Sequence, residues 1–120
     1  LKAPYPPIEI QPEIGEMISP DEWKKARTLD ERRKLIDKAW ASREQRLSEG
    51  FSQIEKRIQS LIANATEDAK REPAKRMQIY RKAEEEIRNT SFGPATAALP
   101  IERWISDLQK ALGLDHTQLQ

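Results

Sequence analysis

From Leu29 onward the chain repeats an apolar residue on a helical spacing. Ile36, Trp40, Leu47, Phe51, Ile54, Ile58, Leu61, Ile62 and Ala65 follow one another in steps that, after Trp40, are mostly three, four or seven. That period places them on one stripe of an α-helix, and between Leu47 and Ala65 it resembles a short coiled-coil seam. Gly50 interrupts the seam and costs about 1 kcal/mol relative to alanine. With Ser48 beside it, the glycine predicts one helix with a bend rather than two helices. The long helix is expected over about 29–69, ahead of Pro73.

Local signals place the other elements. Ser19-Pro20-Asp21-Glu22 supplies a capping serine, a proline at the first helical position and a glutamate at the reciprocal capping position. Thr28-Leu29-Asp30-Glu31 repeats the device nine residues later, so the first helix is short, about 20–27, with Trp23 as its anchor. After Pro73, Met77, Tyr80, Ala83 and Ile87 share one face of a helix expected over 73–89. Asn89-Thr90-Ser91-Phe92-Gly93-Pro94 is dense in turn formers. A last helix, 99–112, carries Ile101, Trp104, Ile105, Leu108, Ala111 and Leu112, and Gly113 stands where a left-handed C-terminal cap belongs. Residues 114–120 are read as a flexible tail.

Ahead of all this, Pro4, Pro6, Pro7, Pro12 and Pro20 crowd the first twenty residues. Proline fixes φ and drives its predecessor to extended geometry, so residues 1–18 are expected to form neither helix nor central strand. The stretch still carries Tyr5, Ile8, Ile10, Ile14, Met17 and Ile18, more apolar area than a solvated linker keeps in water. It reads as an arm lying along a groove, on its own helices or on another protein. Its Pro-x-x-Pro spacing, Pro4 to Pro7, also fits the polyproline conformation that aromatic grooves bind. An arm docking apolar residues onto a neighbouring subunit is the favoured reading of the two.

The fold expected is therefore all-α: an extended Pro-rich arm (1–18), then a helical hairpin or small bundle built on one long helix (19–113), then the tail. Composition agrees. Among 120 residues, 34% are charged and 37% apolar, with only four glycines, which suits long amphipathic helices and not a turn-rich β-protein. The 29–68 stretch alone would run roughly 60 Å as a helix, at about 1.5 Å per residue, longer than a compact domain of this size is wide. A hairpin of that kind leaves apolar stripe uncovered unless the arm, the last helix or a second chain covers it.

Catalytic chemistry leaves little trace. There is no cysteine, hence no disulfide, thiolate metal site or cysteine nucleophile. The one histidine, His116, falls on the tail, where no general base is held in place. No His-Glu-x-x-His, Glu-x-x-His or Cys-pair spacing occurs, and the glycines stand apart at 15, 50, 93 and 113, so neither a metal site nor a phosphate-cradling loop is expected. Glu84-Glu85-Glu86 point about 100° apart on a helix and cannot converge on one ion. No catalytic residue, cofactor or metal is expected.

Nucleic acid is the harder alternative. Lys70, Arg71, Lys75, Arg76, Arg81 and Lys82 make a basic stretch and are the candidate phosphate-binding residues. The formal net charge is only +1, with residues 1–20 at −2, 21–50 and 51–91 at +2 each, and 92–120 at −1. Acids interleaved this closely weaken the field on which phosphate affinity depends. No stretch is long and apolar enough to span a membrane. The chain begins at Leu1 without a signal-peptide pattern, and is read as a processed product or an excised part of something longer; an intracellular soluble compartment, cytoplasm or organelle matrix, is the expectation. The function expected is a non-catalytic protein–protein interaction module, a subunit, adaptor or scaffold in a homo- or hetero-oligomeric assembly. Its partner-binding residues would be Tyr5, Ile8, Ile10, Trp23, Trp104, Ile105 and Leu108, the aromatic and aliphatic anchors typical of interfaces.

Overall fold

The computed structural model describes residues 9–119 and, among them, contains helices and turns but no β-strand. The helices are α1 (Pro20–Lys25), α2 (Leu29–Arg71), α3 (Arg76–Arg88), α4 (Ile101–Ala111) and a single turn, α5 (His116–Leu119). The all-α expectation holds. α2 runs unbroken through Gly50 for 43 residues. Contacts gather into two units, residues 1–49 and 50–120, each with its own apolar cluster.

In the first unit, the N-terminal segment departs from the expected extended form. Pro12–Met17 winds into a 3-10 helix with Pro12 in its first turn. Proline suits that position because the N–H it lacks would have no helical partner there. The turn carries Ile14 inward to complete burial, and Ile18 follows at 7% exposure, both against Ala39 of α2. Ile10, Met17, Trp23, Ile36 and Trp40 close around them. Burying a side chain such as Ile14 stabilises by about 1.5–3 kcal/mol, which opposes an arm that swings free.

Both helix starts behave as expected, with one difference. Ser19 Oγ accepts from the Glu22 N–H at 3.4 Å, and Thr28 Oγ1 accepts from the Glu31 N–H at 3.1 Å. Glu31 returns its bond to the N–H of Arg27, at 2.9 Å, one residue earlier than the usual capping-box partner. α1 stops at Lys25 rather than 27 because Ala26 turns extended and is buried. Its carbonyl accepts from Arg32 Nε at 3.0 Å, while the Arg32 guanidinium lies 4.8 Å over the Trp23 ring.

The second unit holds the main core. Ile58, Ala65 and Ala69 of α2, Tyr80, Ala83 and Ile87 of α3, and Trp104, Ile105 and Leu108 of α4 are all buried together. Pro73–Lys75 forms a 3-10 turn that reverses the chain, so α3 begins at Arg76 instead of 73. Gly113 adopts φ +68°, its N–H donating to Lys110 O and that of Leu114 to Gln109 O, a Schellman cap at the expected glycine. Beyond the cap, Leu114 and Leu119 pack against the core.

Candidate functional site

Three of the expected partner anchors turn out to be core. Trp104, Ile105 and Leu108 are at most 2% exposed, enclosed by their own chain. The reason lies in an acidic residue of α2. Glu55 Oε2 accepts from Trp104 Nε1 at 2.8 Å, and both its carboxylate oxygens accept from Arg103 Nη2 at 3.0 and 3.1 Å. A buried indole needs an acceptor, and Glu55 supplies one while drawing the apolar face of α4 onto the core. Phe51 adds a tilted ring contact to Trp104, 6.5 Å between centroids. Trp23 and Ile10 are half-buried in the first unit, and Tyr5 and Ile8 lie outside the described residues.

Three of the six candidate phosphate-binding residues are paired with acids one turn away. Lys70 pairs with Glu67 at 3.5 Å, Arg71 with Asp68, and Lys75 with Glu72 at 3.0 Å, each one turn apart. Two of those acids precede the basic stretch and belong to the end of α2. Arg76 is half-buried near Gly113, and Arg81 and Lys82 are exposed on α3. The six cations therefore do not present one uncompensated field.

What the second unit leaves open is a groove of about 510 Å³ between α2 and α3. Its α2 wall carries Arg57, Leu61, Asn64, Ala65 and Asp68, and its α3 wall carries Ile79, Lys82, Ala83 and Glu86. At the end where Arg57 and Glu86 lie, it adjoins a second hollow of about 520 Å³, bounded by Ile58, Asn89, Thr90 and Ser91. Ala65 and Ala83, both buried, present only methyl groups to the hollow from its two walls. Leu61 and Ile79 are only half-buried along it. Trp104, Ile105 and Leu108 do not line it, so α4 leaves this face uncovered. The sequence pointed to part of this: Leu61 beside Ile62 broadens the α2 stripe. Ile79, off the Met77–Tyr80–Ala83–Ile87 face, was missed. Its signal is an isolated branched aliphatic on an otherwise charged helix face.

Polar groups nearby are structural. The Tyr80 hydroxyl donates to Glu84 Oε2 at 2.5 Å and accepts from Gln109 Nε2 at 3.0 Å, tying α3 to α4. Burial pushes this phenol above its ordinary value of 10.0; the Gln109 bond opposes the shift and Glu84 adds to it. Thr90 Oγ1 donates to Glu86 O. Among the described residues, no buried side-chain polar atom lacks a partner, no group of three His, Cys, Asp or Glu is placed to hold a metal, and no helix is long and apolar enough to cross a membrane. Comparison with known protein families, curated proteins and solved structures finds no match to this chain.

Proposed function

We propose that the protein is a non-catalytic helical interaction module, a subunit, adaptor or scaffold whose docking face is the α2–α3 groove. The observation that carries this reading is the pair Leu61 and Ile79, half-exposed on the walls of a hollow that α4 leaves uncovered. Apolar side chains at the centre of a concave, polar-rimmed face are the usual anchors of a protein interface. The described apolar residues of the N-terminal segment, Ile10, Ile14, Met17 and Ile18, pack in the chain's own cluster and so lend less support to a docking arm. The basic stretch offers less support for a nucleic-acid role, since Lys70, Arg71 and Lys75 are already paired.

A photo-crosslinking amino acid placed at Asn64, in the full chain within its native source, tests the reading. Its control is the same probe at Gln45, an exposed position of the first unit. A discrete protein adduct is expected from position 64 and not from 45, and Leu61→Glu should abolish it. Equal labelling from both positions overturns the reading.

A further inference from the structure

We propose that α2 carries a latched hinge. Gly50 is the point at which the helix opens, and the Phe92 ring, delivered by the turn between α3 and α4, is the latch that holds it closed. Three observations meet at this residue. The first is where the glycine stands. Contacts divide the chain between Glu49 and Gly50. Along α2, Trp40 is the last residue packed in the first cluster and Phe51 the first in the second. Among the described residues, no cluster member falls between 41 and 49. A stretch of helix without packed side chains is marginal in water, and a glycine weakens it further.

The second observation is what covers the glycine. Having no side chain, glycine exposes helix backbone to water. Phe92 takes that space: its ring edge comes within 2.7 Å of where a β-carbon would stand. A ring seated there keeps water from the hydrogen bonds of the turn at Gly50. The third is how the ring is held. Phe92 belongs to neither α3 nor α4, and it is only half-buried. One side chain aims it, since Thr96 Oγ1 accepts the Phe92 N–H and donates to Gly93 O. The enclosed side chains of the second unit, Ile58, Ile87, Trp104 and Leu108, all sit on helices. The ring can therefore leave while the helices stay packed, and the opening it permits is confined to the turn around Gly50. The latch does not depend on what occupies the α2–α3 groove.

Amide hydrogen exchange of the full chain, followed residue by residue, tests the proposal. Phe92→Ala should accelerate exchange at Gly50, Phe51, Ser52 and Gln53 by about tenfold or more, and at Ile58, Ile62 and Ala65 by less than about threefold. Adding Gly50→Ala should slow the same four amides again by about fivefold, because alanine restores the helix where the glycine let it open. Thr96→Val removes the hydroxyl that aims the ring and should give a smaller acceleration at those four positions. Acceleration shared equally by Ile58, Ile62 and Ala65 would make Phe92 an ordinary core residue and overturns the proposal. Unchanged exchange at the four amides overturns it too, as does a double variant that exchanges as fast as Phe92→Ala. Should Phe92→Ala fail to fold, Thr96→Val decides alone: selective acceleration at the four amides supports the latch, and uniform or absent acceleration removes it.

Discussion

A β-carbon built on Gly50 would lie 2.7 Å from Cε1 and 2.8 Å from Cζ of Phe92. The ring is aimed by its own turn: the Phe92 N–H donates to Thr96 Oγ1 at 2.8 Å, which donates in turn to Gly93 O at 2.6 Å, and Gly93 sits at φ +52°. The glycine thus serves as a notch for an aromatic ring rather than as a break in α2. Alanine at 50 gains about 1 kcal/mol of helix propensity and costs about 1–3 kcal/mol by displacing the ring. We expect Gly50→Ala to be neutral to destabilising by up to about 2 kcal/mol. In a Phe92→Ala background the same change should stabilise by about 1 kcal/mol. Denaturant unfolding of the four chains in the cycle measures the coupling; additive effects would remove the notch. Tyr80 carries a second prediction at this scale. Its folded pKa exceeds the unfolded one, so its contribution is complete below about pH 10 and is lost as pH rises through the folded value. In a Tyr5→Phe chain, the ultraviolet signal of the remaining phenol should titrate above 10 when folded and return to about 10 in denaturant.

At the scale of elements, Glu55 decides where α4 goes. Removing its carboxylate leaves the Trp104 N–H buried without an acceptor, a loss of about 2 kcal/mol, whereas removing the exposed Arg103 head group costs under about 1 kcal/mol. Glu55→Gln keeps an acceptor oxygen and should fall between Arg103→Ala and Glu55→Ala in thermal unfolding; equal losses from the two alanine variants would assign the energy to the ion pair instead. The elements themselves were legible because their signals are local. Ser19 and Thr28 cap through bonds within three residues, Gly113 closes α4 through its own φ, and the α2 stripe is a plain periodicity. What the pattern hid depends on contacts distant in sequence. Nothing near Trp104 announces that Glu55, 49 positions earlier, will accept its N–H. Without that bond, Trp104, Ile105 and Leu108 read equally well as exposed anchors. The Pro12–Met17 turn was hidden for another reason: proline excludes the helix interior but favours a first turn, and only the burial of Ile14 chooses between them.

For the molecule as a whole, the consequential fact is that one helix serves two cores of unequal size. Among the described residues, the second unit buries eleven in its cluster and the first buries Ile14, Ile18 and Ala39 in its own. Local stability follows buried apolar contact, and a helix confers little protection on segments that lack it. α2 should therefore show two classes of amide exchange: slow between Ile54 and Ala69, where the main core packs, and faster between Arg32 and Arg43, where a few side chains of the N-terminal segment are the chief cover. Ile14→Ala removes the most buried of these and costs about 2–5 kcal/mol locally. Its effect should be to accelerate exchange at Ile36, Ala39 and Trp40 by a factor set by that loss, while leaving Ile58 and Ala65 unchanged. Exchange that rose equally along all of α2 would mean that the helix opens as one cooperative rod. In that case the N-terminal segment would contribute to the stability of the entire chain, and a face on the second unit would gain or lose its partner together with Ile14.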